Sequence, residues 1–220
     1  MQIVKQLLKE HQTFFLWLWG YFFVGALYIL SFERGHSVLL LNDFHWPWLD
    51  FIAKYGTHLG DGLVAPVLVL VLLFVRYYDA AWLALAFIIE STIVRILKQL
   101  IFSDVPRPKA FFDSHVVLNF VEGVEVHSWQ SMPSGHTATA FVIFSVLAFQ
   151  KNHPLWHALL CCLAIFAGLT RVYLCQHFFS DVYIGSVLGC VSLLIASYVL
   201  NNYMNYPVLQ NKLALNTFIK

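Results

Sequence analysis

Apolar runs long enough to cross a bilayer restrict this chain more than any other feature. A membrane-spanning helix needs about 20 consecutive, mostly apolar residues. Six runs approach that length, at 14–32, 63–75, 80–102, 134–150, 155–173 and 182–200. Polar flanks such as Gly60-Asp61-Gly62 and Arg76-Tyr77-Tyr78 mark their ends. Inside hydrocarbon each backbone N–H and C=O must find a partner within its own segment, which a helix provides. The expected fold is therefore all-α: a polytopic membrane protein of six transmembrane helices forming one domain over residues 1–220. Composition agrees, with 11% charged residues against about 25% in soluble domains. The first run is too long and too aromatic for a cleaved signal, whose apolar core is about 7–15 residues. It is read as a retained anchor.

Other classes are disfavoured. A formal net charge of +1 leaves no basic footprint for nucleic acid. Cys161, Cys162, Cys175 and Cys190 lie in or beside apolar runs, with neither metal-ligand pairing nor a disulfide framework. They are read as small buried hydrophobes.

Six passes put both termini on one side. Lys5, Lys9, Arg76, Lys151, Lys212 and Lys220 fall on that side, and Arg34, Lys54, Arg107, Lys109 and Arg171 on the other. The second set is spread over longer segments that also carry most of the carboxylates. Because Lys and Arg in short loops resist translocation, the termini are placed inside. Two outer segments are not spans. Residues 33–61 contain Trp46-Pro47-Trp48, whose indoles suit the headgroup region. Residues 103–133 form a polar stretch too long to be an idle loop.

Three clusters fall at the outer ends of the proposed helices: Lys98 followed by Arg107-Pro108; Pro133-Ser134-Gly135-His136; and Thr170-Arg171, His177 and Asp181. A tetrahedral phosphate needs several cationic or N–H donors, an in-line nucleophile, and an acid for the leaving oxygen. His177 and Asp181 are four apart, so on a helix they share a face, and the carboxylate would fix the imidazole tautomer. Taken alone, the pair reads better as a structural contact at a helix start. Ser134 can cap a helix, and the N–H groups behind it form an anion site. His136 is then either an acid beside that anion or an ordinary surface histidine. Lys98, near a helix end, is either a phosphate ligand or a snorkelling side chain. Snorkelling or an ion pair is preferred for Arg95, and a helix–helix polar contact for Glu90.

Together the clusters resemble the three-part signature of the type 2 phosphatidic acid phosphatase (PAP2) family. The last motif of that family reads Ser-Arg, five residues, His, three residues, Asp. Here it reads Thr170-Arg171, then His177 and Asp181 at matching spacing. The middle motif matches in full. The first departs: eight residues, not six, separate Lys98 from Arg107-Pro108.

The resemblance implies a membrane lipid phosphatase that uses neither metal nor cofactor. It implies His177 as nucleophile, Asp181 holding its ring, and His136 as proton donor. Lys98, Arg107, Ser134, Gly135 and Arg171 would bind phosphate. The implied location is a bacterial inner membrane, with the site facing the periplasm and the 103–133 segment as its wall. Candidate substrates are lipid A phosphates, which are favoured, then undecaprenyl diphosphate, phosphatidylglycerol phosphate and phosphatidate. A lipid phosphotransferase keeps the same chemistry. A small transporter or scaffold using Glu90, Arg95 and Lys98 is the alternative of another class.

Overall fold

The computed structural model describes residues 7–112 and 115–203. Regular structure there is helical: α1 (Gln12–Ser31), α2 (His36–Asn42), α3 (Pro47–Gly56), a 3-10 turn (Thr57–Gly60), α4 (Val64–Leu73) and α5 (Tyr77–Ile96). A π turn (Leu97–Ile101) continues α5, and α6 (Pro108–Phe111), α7 (Gly135–Ala148), α8 (Pro154–Tyr173) and α9 (Phe179–Tyr203) follow. Lys5, Asp113, Lys212 and Lys220 lie outside the described residues.

Among the described residues four helices are long and apolar enough to cross a membrane: α1, α5 with its π turn, α8, and α9 as far as Asn201. The run expected at 63–75 is shorter. α4 has 10 residues and reaches about 15 Å, half of a hydrocarbon core of about 30 Å. It is long enough to cross only together with Pro47–Gly60, from which it bends by 57°. The cause is local. Asp61 sits between two glycines, and its Oδ1 accepts the Leu63 N–H at 2.9 Å, so the chain turns and starts a new helix.

α7 also falls short. Its 14 residues reach about 21 Å. It can be short because it does not meet lipid: every residue from Thr137 to Val146 is buried, as expected of a helix apolar on all sides. α5, α8 and α9 surround it. Gly185 and Gly189 let α9 approach. A Cβ at Gly185 would stand 2.5 Å from the Ser134 carbonyl oxygen, and one at Gly189 would stand 2.5 Å from that of Ala138. Small residues four apart allow such backbone contact between membrane helices. Across the bundle the Trp82 indole N–H donates to the Leu193 carbonyl at 3.2 Å.

The helices alternate in direction, so the C-terminal ends of α5 and α8 meet the N-terminal ends of α7 and α9. Arg34, just after α1, contacts Asp181 in the first turn of α9, which brings the end of α1 to the same place. Lys9, Arg76 and Lys151 lie at the opposite end, the arrangement expected from the charge pattern.

Gly189→Val should destabilise the bundle by about 1–3 kcal/mol through overpacking. Gly20→Ala is the control, because a Cβ there meets nothing within 4 Å. Thermal unfolding in detergent should show a lower midpoint for the first variant and no loss for the second.

Candidate active site

Asp181 is the hub. Its carboxylate is fully buried. Oδ2 accepts the Ser131 hydroxyl and the Phe178 N–H at 3.0 Å, and Oδ1 lies 3.3 Å from Arg34 Nη2. The backbone carbonyl of Asp181 accepts the Ser134 N–H at 3.0 Å. One residue thereby ties together the segment after α1, the 103–133 segment and the starts of α7 and α9.

His177 Nδ1 is 3.6 Å from Asp181 Oδ2 and has no other partner among the described residues. That is longer than a hydrogen bond, and such contacts tighten when a site is occupied. The two residues are paired, but not as neighbours on one helix face. His177 precedes α9. Asp181 is the third helical residue and reaches back to the N–H of the N-cap Phe178, half of a capping box. This return turns the carboxylate toward His177.

A second motif presents His177. α8 ends with Cys175 in the left-handed region, φ 55°. The Cys175 N–H bonds to Val172 O at 3.0 Å and the Gln176 N–H to Arg171 O at 3.0 Å, which is the Schellman pattern. The Asn42 amide donates to Cys175 Sγ at 3.2 Å, and burial pushes that thiol up to about 11. Cys175 is thus a buried turn residue, not a reactive one.

The cations gather close by. Arg171, at the end of α8, is 6% exposed. It donates to Thr57 Oγ1 at 2.7 Å, while its Nε is buried without a partner among the described residues. Arg107 precedes α6 and donates from Nε to Trp129 O at 2.9 Å and from Nη1 to Gln176 O at 3.2 Å. Lys98 Nζ donates to Gln130 O at 3.0 Å, the same carbonyl that Arg107 Nη2 reaches at 3.5 Å. Gln130 adopts φ 58° to present it. The surplus spacing of the first motif is partly explained here. The Phe102 N–H bonds to Leu97 O at 2.8 Å, so this turn holds one residue more than an α turn.

His136 is the second residue of α7 and is half-buried. Gly60 packs on its backbone; a Cβ there would stand 2.2 Å from the His136 carbonyl oxygen. Ser134 is the N-cap of α7. Its Oγ accepts the Thr137 N–H at 3.4 Å and the Thr137 hydroxyl at 2.9 Å, so only its own O–H is left for an anion. The N–H groups of Gly135 and His136 have no partner among the described residues, leaving an anion site at the helix start. Asp61 lies near, held below the usual carboxylate range by the Leu63 N–H first, with His136 and His58 adding to it.

His177 is neutral by construction. Burial lowers its pKa to about 3, and the charges of Arg107 and Arg171 add to burial against the opposing Asp181. A neutral imidazole beside two buried guanidinium groups can attack a bound tetrahedral anion. No group of three or more His, Cys, Asp or Glu side chains suited to a metal occurs among the described residues.

Arg34 and Ser131 were not singled out from the sequence. Ser131 stands two residues before the middle motif, which was the only available sign. Arg34 carried no sign beyond being a cation between helices. Besides Asp181, its guanidinium lies 4.3 Å from the Phe178 ring centroid.

Comparison with known proteins fits this geometry. A family model described as "PAP2 superfamily" matches residues 79–205. Phosphatidylglycerophosphatase B of Bacillus subtilis (strain 168) is 26% identical over 153 residues, covering 65% of this chain and 71% of that protein. The crystal structure of Aquifex aeolicus LpxE superposes with TM-score 0.66 at 30% identity, over 76% of this chain and 97% of that one. A transmembrane PAP2-type phosphatidylglycerolphosphate phosphatase from Bacillus subtilis superposes with TM-score 0.63 at 22% identity, over 90% and 98%.

Two outcomes are expected. Arg34→Ala frees one carboxylate oxygen of Asp181. It should slow phosphate release about tenfold, the scale of one charge-assisted hydrogen bond, with KM nearly unchanged. Steady-state kinetics in detergent checks this. For His177, the folded pKa of about 3 lies below the ordinary 6.5, so the unfolded chain binds the extra proton between those values. The stability from burying it neutral is full above pH 6.5 and is lost as pH falls toward 3. Melting of the phosphate-free protein should fall on acidification, and His177→Gln should flatten that fall.

Proposed function

The chain belongs to the PAP2 superfamily and is a membrane lipid phosphatase; from that premise we propose that it works through a phosphohistidine on His177. The observation that carries the proposal is the buried His177–Asp181 pair facing Arg107 and Arg171, with the start of α7 bringing His136 to the same end of the bundle. Lys98, Arg107, Arg171, the Ser134 hydroxyl and the Gly135 N–H hold the phosphate oxygens. His177 attacks phosphorus, and the P–O bond to the lipid breaks. His136 takes up a proton once the phosphate anion is bound beside it, gives it to the departing alcohol, then takes one from the water that attacks the phosphohistidine. Asp181 holds the imidazole while its charge changes. Positioning and charge neutralisation supply most of the rate in phosphoryl transfer.

The proposal includes one domain of six passes: the four long helices, Pro47–Gly60 with α4 as a bent fifth, and α7 as a short, protein-wrapped sixth. The termini are cytoplasmic and the site periplasmic in a bacterial inner membrane. Support comes from Arg76 and Lys151 at the end remote from the site. Among head groups, lipid A phosphates come first, supported by the likeness to LpxE. Phosphatidylglycerol phosphate is second, supported by the activity named for the Bacillus subtilis relatives. The transporter or scaffold reading is set aside by the family. A phosphotransferase would show phosphorylated acceptor lipid in place of free phosphate.

His177→Ala should abolish phosphate release from these lipids while the protein still elutes as a folded species. Full activity in that variant would falsify the nucleophile assignment. Vanadate should inhibit, and a chelator should not.

A further inference from the structure

A polar slot adjoins the site on one side only. It is a cavity of about 350 Å³ that reaches His136, Lys98 and Gln130 but not His177, Arg107 or Arg171. Phe87, Glu90 and Val94 of α5 and Lys98 of the π turn that continues it line one side, which makes it about 16 Å long at 1.5 Å per residue. Its inner wall holds Glu90 and Thr139, both buried, and its outer edge holds Ser91, Arg95 and Gln99.

In-line displacement assigns this slot its occupant. His177 attacks from one side of phosphorus, so the leaving oxygen points to the opposite side, toward the group that protonates it. That group is His136, and the slot starts there. The slot therefore faces the alcohol half of the lipid. A wall for plain diacylglycerol would be apolar. This one carries a carboxyl group only 1% exposed, whose one described partner is the Thr139 hydroxyl at 3.3 Å. Buried with no cation paired to it among the described residues, a carboxyl group is held neutral, so it offers a ligand its carbonyl oxygen as acceptor and one O–H as donor. A purely structural contact between α5 and α7 would not need a cavity beside it.

Resting on the phosphatase reading, we propose that Glu90 is a specificity-determining residue, accepting hydrogen bonds from hydroxyl or amide groups on the alcohol half of the substrate. The substrate class is then a phosphorylated lipid whose leaving alcohol has its own donors, as an acylated amino sugar does. A lipid whose alcohol is bare diacylglycerol is the poor substrate. Arg95 and Gln99 at the outer edge add donors for the carbonyl groups of the same half.

The test compares purified full-length protein on lipid A and on phosphatidate in the same detergent, with wild type, Glu90→Leu and Glu90→Gln. Leu keeps the volume and leaves no buried charge, and monodisperse elution confirms folding. With Glu90→Leu, kcat/KM for lipid A should fall about 10- to 100-fold while phosphatidate changes by less than about threefold. Gln, which keeps one acceptor, should fall between. Equal losses on both lipids, or no loss on either, overturn the assignment while leaving the phosphatase intact. If wild type releases phosphate from neither lipid, nor from phosphatidylglycerol phosphate, the phosphatase reading itself fails and the slot assignment with it.

Discussion

The buried carboxylate of Asp181 is the constraint on which the site depends. A charge out of water must be paired and hydrogen-bonded, or it is expelled or neutralised. Here the pairing draws on three parts of the chain: Arg34, Ser131, and the consecutive His177 and Phe178 with its N–H. Burying this one group thus obliges segments remote in sequence to converge. The same carboxylate that caps α9 also faces the imidazole, so helix termination and site construction are one event.

Convergence also requires that α7 be reachable from all sides. Glycines at 185 and 189 bring α9 against its backbone, and Gly60 brings the 3-10 turn against His136. These contacts hold the first turn of α7, with its free N–H groups, at a fixed height relative to Arg171 and His177. Lys98 and Arg107 need little rearrangement, because they already rest on backbone carbonyls of Trp129, Gln130 and Gln176.

Much of this was legible in the sequence. The apolar runs gave the helical class, and the spacing of Arg171, His177 and Asp181 marked residues that lie together in the candidate site, because a helix end and the turn after it are local. What was not legible depended on tertiary geometry. The pairing of His177 with Asp181 comes from a capping box, which residue spacing alone does not separate from a shared helix face. Arg34 is far from the motifs in sequence and reaches Asp181 only once α1 has packed. The break at Gly60-Asp61-Gly62 was read as the edge of a span, whereas it is a bend between two short helices. The two additional residues before Arg107 were a departure from the motif's spacing, and the π turn accommodates one of them.

The shortness of α7 has a consequence for the substrate. Its reach is about 9 Å less than the hydrocarbon core, so on the proposed topology the catalytic floor lies below the level of the surrounding phosphates. A lipid can drop its head group into that depression while its tails stay among their neighbours. Lifting each methylene into water would cost about 0.8 kcal/mol, and a substrate that never leaves the leaflet avoids that expense. Turnover should then follow the amount of substrate per unit of membrane area rather than its concentration in the bulk.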